Sequence, residues 1–116
     1  MEESILNSIK KMLGISEEYE AFDLDIMFCI NSALSNLNQL GVGPDEGFGI
    51  NGKSDSWTDF LGNSKKFESA KNYVYLKVRM QFDPPTNSSI ASSFENQIKE
   101  LEFRLAVKAE QGEKNV

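Results

Sequence analysis

Asp23-Leu24-Asp25 is the one tight carboxylate pair in the chain with the D-x-D spacing that can hold a divalent metal against a sugar nucleotide. Both acids also fall where a helix should begin. The macrodipole and the orphan N–H groups favour carboxylates there without any metal, and that is the reading adopted. Cys29 is the single cysteine, and the chain has no histidine. With no imidazole to take its proton, a thiol between Phe28 and Ile30 reads as buried and inert. Residues Gly47 to Ser54, GFGINGKS, formally satisfy G-x-x-x-x-G-K-[ST]. A phosphate cradle needs a buried strand before it and a helix opening at the lysine. Here Gly43-Pro44-Asp45-Glu46 precedes and Asp55-Ser56-Trp57 follows, so ATP binding is not expected. Glu100 and Glu102 would stand about 200° apart on a helix and make no acid–base dyad. The sequence therefore yields no catalytic, cofactor-binding or metal residue, and neither an enzyme nor a cofactor is expected.

The elements that carry these residues belong to a chain of 116 residues, 40% hydrophobic and 26% charged. One domain of that size buries roughly two-thirds of the surface its unfolded form exposes, enough for a core without disulfide or metal staples. Eighteen acids against twelve bases give a net charge of −6, so the chain repels a polyanion overall. No apolar run is long enough to span a bilayer, and the N-terminus, MEESILNSIKKMLG, lacks the long apolar stretch of a signal peptide. The composition is that of a soluble, non-secreted, helical interaction domain.

The expected fold is all-α. It is a small antiparallel bundle of three long helices plus a short N-terminal one, with a long Gly-rich loop or β-hairpin between the second and third. Ile5, Leu6, Ile9, Met12 and Leu13 sit at helical spacing, and Gly14 is placed to stop that first helix. From Asp23 to Leu40 the stripe is Ile26, Ile30, Ala33, Leu34 and Leu37, with Asp23 as N-cap, Phe22 as half of a hydrophobic staple, and Gly41-Val42 as a Schellman end. Gly41 to Ser64 holds six of the eight glycines. Apart from Phe48 and Ile50 before the Asn51-Gly52 turn it has no period, and Trp57, Phe60 and Leu61 read as a one-turn helix anchoring its end. Lys66 to Phe82 is a helix with Phe67, Ala70, Val74, Val78 and Phe82 in line. Tyr73, Tyr75, Leu76 and Met80 widen its apolar arc, so it is either central or covered by another subunit. Tyr73 and Tyr75 diverge by about 200°, which makes Tyr75, with Met80, the candidate inter-subunit contact. Asp83-Pro84-Pro85 ends this helix. The last runs from about Ser89 to Ala109, capped by Asn87 or Ser88, with Ile90, Phe94, Ile98, Leu101 and Leu105 inward. Residues 1–109 are read as a single helical domain and 110–116 as a polar tail.

This order of segments resembles the head–tail connector (head-completion, adaptor) proteins of long-tailed bacteriophages, particularly those of Gram-positive hosts. It includes the stop Leu40-Gly41-Val42-Gly43-Pro44, the loop with Trp57, the run Tyr75-Leu76-Lys77-Val78-Arg79-Met80-Gln81-Phe82-Asp83-Pro84-Pro85, and then Gln97-Ile98-Lys99-Glu100-Leu101-Glu102-Phe103-Arg104-Leu105. The likeness covers roughly residues 5 to 107. It implies a structural virion protein of the neck, assembled in the host cytoplasm. Such a protein is a homo-oligomeric ring, commonly a dodecamer, under the portal, where it extends the DNA channel and docks the stopper or tail. DNA would pass without specific binding, and net acidity agrees with that. By the resemblance, portal docking is assigned to Val107, Lys108, Ala109, Glu110 and Gln111, and stopper-side or neighbouring-subunit contact to Pro44, Phe48, Ile50 and Trp57. The alternative from another class is a small acidic helical regulator (a DNA mimic, anti-repressor or antitoxin-like partner), which explains the charge equally well.

Overall fold

Ser4 opens the first helix by accepting a hydrogen bond from Asn7 N, and Leu13 with Gly14, at φ +81°, closes it. In the computed structural model, which describes residues 3–62 and 68–114, five helices follow in order. They are α1 (Ile5–Met12), α2 (Asp23–Gln39), α3 (Trp57–Leu61), α4 (Ser69–Phe82) and α5 (Ser88–Lys114). Among the described residues there is no strand, only a single bridge between Ser4 and Ser56. From Leu40 to Gly62 the chain is thus a loop that carries α3, and the hairpin alternative is overturned. The expected Phe67 core position lies outside the described residues.

α2 turns Ile26, Ile30, Ala33, Leu34 and Leu37 fully inward. Each large aliphatic side chain so buried is worth about 1.5–3 kcal/mol. Its C-terminus is a complete Schellman motif: Val42 N donates to Leu37 O at 2.9 Å and Gly41 N to Asn38 O at 3.0 Å, with Gly41 at φ +90°. The N-terminus departs from expectation. Phe22 occupies the cap position without a side-chain bond, and Asp23 is the first helical residue. Its carboxylate is engaged by Lys10 instead.

α4 is the centre of the molecule, packed on α2, α5 and α1. Ala70, Tyr73, Val74 and Val78 are completely buried along it, which accounts for its wide apolar arc without a second subunit. Phe22 at the start of α2 stacks edge-on to Phe82 at the end of α4, ring centroids 5.5 Å apart, so these two helices run antiparallel. Moving along α4 from Tyr73 to Arg79 moves the partner on α5 back from Glu102 to Phe94, so that pair is antiparallel too. Asn87 Oδ1 caps α5 by accepting from Ser89 N and Ile90 N at 2.8 and 3.1 Å. α5 does not stop at Ala109 but continues to Lys114.

The glycine-rich loop runs back along α2. Asn38 Nδ2 donates to Pro44 O (2.9 Å), and Asn31 both donates to Ile50 O (3.1 Å) and accepts from Ile50 N (2.7 Å). Gly43, at φ +91°, lies under the Phe60 ring where any Cβ would overlap it. The far end is tied to the N-terminus by Ile5 N to Asp55 O (3.0 Å) and Trp57 N to Glu3 O (3.1 Å). A Ser56–Asp59 capping box then starts α3.

Candidate interaction surfaces

The residues with chemical potential are occupied structurally. Lys10, fully buried, points its ammonium at the carbonyls of Glu17 (3.1 Å) and Tyr19 (2.7 Å) and at Asp23 Oδ1 (2.8 Å). A buried ammonium is tolerable only with such a complete set of acceptors. It fastens the turn 13–22 to α1 and takes half of the D-x-D pair out of any metal site. Lys53 repeats the device from outside, pairing with Glu20 at 3.1 Å and donating to Glu17 O at 3.3 Å. The lysine of the P-loop-like string is therefore a strap residue. No helix opens at it, since α3 begins only at Trp57. Burial pushes the Cys29 thiol up, and the Asp25 charge adds to that, so the thiolate is disfavoured.

Glu100 and Glu102 face different ways, as their spacing requires. Glu100 pairs with Arg104 in the open, whereas Glu102 accepts a 2.7 Å bond from the hydroxyl of buried Tyr73. Burial first, then the neighbouring carboxylate, holds that phenol well above its ordinary range. Among the described residues no group of three or more His, Cys, Asp or Glu is placed to hold a metal ion. No helix there is long and apolar enough to cross a membrane.

Among the described residues the most exposed large apolar side chains are Leu24, Phe28 and Phe103; Ile90, expected inward, and Met12 are exposed as well. Leu24 and Phe28, one turn apart on α2, are 79% and 76% exposed. They stand about 135° and about 175° from the centre of the Ile26–Leu37 stripe. Phe103, 72% exposed, occupies the equivalent back of α5, about 170° from its Ile98–Leu105 stripe. Tyr19 and Phe22 add a half-exposed aromatic row that leads to Phe82, with Tyr19 and Phe22 centroids 5.6 Å apart. Leu24 and Phe28 together make a small contiguous apolar step, whereas Phe103 stands singly.

The contact residues expected from the sequence fall into three groups. Tyr75 is half-buried against the core, its hydroxyl accepting from Arg79 Nη1 at 3.3 Å. Met80 is likewise half-buried and lines an open groove of about 360 Å³ between α4 and α5 with Lys77, Gln81, Ile98, Lys99 and Glu102. Of the loop residues, Ile50 and Trp57 are core side chains, Trp57 donating from Nε1 to Ser8 Oγ at 2.8 Å. Pro44 and Phe48 are half-buried, the Phe48 ring 5.3 Å from Phe60. On α5, Val107 and Lys108 are half-buried, Ala109 is buried near Gly41, Glu110 is exposed, and Gln111 is helical.

The exposure of Leu24, Phe28 and Phe103 was not among the expectations from the sequence. The signal was present nonetheless, in large apolar residues lying off otherwise clean stripes. The helical wheel of α1 favours Lys10 over Lys11 for the inward position, since Lys10 stands about 100° from the centre of the apolar stripe and Lys11 about 160°.

Packed helices, a pinned loop and a few exposed apolar side chains define a small all-helical module. The chain belongs to the phage connector protein family, whose model matches residues 5–112 and so takes in α1 to α4 and all but the last two residues of α5. No curated protein and no solved structure matches it.

Proposed function

We propose that this connector is a head–tail adaptor, one subunit of a homo-oligomeric ring that sits beneath the portal in the virion neck, continues the DNA channel and receives the stopper or tail-completion protein. The observation that carries this reading is that the family relation spans the whole helical fold, from α1 to the last turns of α5. The uncovered apolar backs of α2 and α5 support it, because a ring subunit needs surface for its neighbours. The acidic balance supports a channel that passes DNA without holding it.

Portal docking falls to the end of α5, from Val107 through Gln111. The loop edge at Pro44 and Phe48 is the stopper-side or neighbour contact, supported from beneath by Ile50 and Trp57. Met80 and Tyr75 contribute through the α4–α5 groove rather than as a projecting patch. Mixing the purified chain with portal assemblies and imaging the product tests the proposal. A continuous ring of added density supports it. Bare portals, with the chain remaining as a monomer or dimer, favour the acidic regulator instead.

A further inference from the structure

Among the described residues the two most exposed large apolar side chains, Leu24 (79%) and Phe28 (76%), lie within the one long stretch of the chain that carries no cation. From Met12 to Gly52 there is no lysine or arginine, while Glu17, Glu18, Glu20, Asp23, Asp25, Asp45 and Glu46 all fall there. Two bases reach in from elsewhere, and each is already engaged: buried Lys10 with Asp23 at 2.8 Å, and Lys53 with Glu20 at 3.1 Å. Glu17, Glu18, Asp25, Asp45 and Glu46 are exposed, and among the described residues none of them forms an ion pair. Lys11 faces Glu17 across a small cleft. On α4, which packs against the inner face of α2, Lys71 and Arg79 pair with Glu3 and Asp83, and Lys77 lines the groove toward α5. Where the end of α5 reaches Gly41, half-buried Lys108 and exposed Glu110 offset each other in sign. On the helical wheel Phe28 stands about 40° from Leu24 and about 60° from Asp25. The apolar step therefore has an unpaired carboxylate at its side. We infer that the back of α2 is a docking surface for a cationic, apolar segment of a different protein, whose apolar side chains cover Leu24 and Phe28 while its lysines or arginines meet Asp25 and the neighbouring acids.

Charge complementarity selects this occupant. DNA and anionic lipid are repelled by the same carboxylates. A second copy offers no matching face: Phe103, the other strongly exposed ring, has exposed Glu100 and Glu110 on its own back of α5. The step is only two side chains wide, which suits a single segment rather than a broad surface. The inference rests on the adaptor reading only for the partner's place in the neck. Leu24, Phe28 and Asp25 are exposed, so replacing them leaves the fold intact, which the helical spectrum checks.

The test uses three short synthetic peptides on the full-length chain: a helical peptide of lysines and leucines, its counterpart with glutamate for lysine, and oligolysine. The lysine–leucine peptide should bind and shield Leu24 and Phe28 from hydroxyl radicals. The glutamate–leucine peptide should not bind, and oligolysine should bind at least about tenfold more weakly. Leu24→Ser with Phe28→Ser, and separately Asp25→Lys, should each weaken binding of the lysine–leucine peptide about tenfold. No binding, variants that bind as the wild type does, equal binding of oligolysine, or shielding at Phe103 in place of Phe28 overturns the inference. So does a free chain that self-associates with Phe28 already shielded, since the occupant is then a second copy. Rings on portals without the peptide footprint would retain the adaptor reading and discard this surface. The footprint without rings would do the reverse.

Discussion

α4 and the back of α2 are both rich in large apolar side chains, but their surroundings differ. Around α4, three other helices close over Ala70, Tyr73, Val74 and Val78, and the one polar group sent inward, the Tyr73 hydroxyl, meets Glu102. On α2, the inner stripe is sealed equally well, while Leu24 and Phe28 on the other side stay largely exposed. The difference teaches that a helix's apolar content does not locate an interface. Neighbours decide how much of a helix is covered: α4 buries Ala70, Tyr73, Val74 and Val78 against other helices, while Lys77, Met80 and Gln81 stay at an open groove.

The largest effect that can break this comparison is within α2 itself. Leu34→Ala, on the inner face, should destabilise the chain by about 2–5 kcal/mol in denaturant titration. Phe28→Ala, on the outer face, should move the same midpoint by less than about 0.5 kcal/mol. Equal losses would mean that the back of α2 is already covered in the monomer.

Next comes the buried ammonium. Lys10→Met leaves Asp23 and the two strap carbonyls without their donor and should cost about 3 kcal/mol. Adding Asp23→Asn should recover part of that loss, which a double-mutant cycle measures. Additive losses would show that the two groups act separately.

Tyr73 sharpens the account of the sealed side. Tyr73→Phe removes the bond to Glu102 and should cost about 1–2 kcal/mol at neutral pH. Because the folded phenol is raised by burial and by Glu102, its contribution is fully present below the unfolded tyrosine value, about 10. It is lost as pH climbs from there toward the folded value, since the unfolded chain releases the proton first. The wild type should therefore lose stability above that pH more steeply than Tyr73→Phe, as alkaline unfolding curves will show. Parallel curves would contradict the assignment. The smallest effect is at exposed Glu100: Glu100→Gln should change stability by under about 0.5 kcal/mol despite the ion pair with Arg104.

Much of the scaffold was legible because local chemistry agreed with tertiary packing. The Ile26–Leu37 stripe, Gly41-Val42 as a Schellman end, Asn87 as a cap, and Trp57 as the loop anchor all follow from period and capping. The N-cap of α2 was not legible, because Asp23 is drawn to a lysine a whole helix earlier in the chain. Nor was the course of the glycine-rich loop, which depends on Asn31 and Asn38 bonding to backbone far along the sequence. Tyr75 and Met80 look surplus on a helix considered alone; the structure half-buries both, Tyr75 against the core and Met80 in the α4–α5 groove.

The account's central claim is that assembly covers the backs of α2 and α5. Hydroxyl-radical footprinting of the full chain, free and then bound to portals, reads this directly at the side chains concerned. Oxidation of Phe28 and Phe103 should fall sharply on assembly while that of Tyr73 stays uniformly low. If Phe28 and Phe103 react at their free-chain rates in particles that visibly carry the added ring, the claim is contradicted.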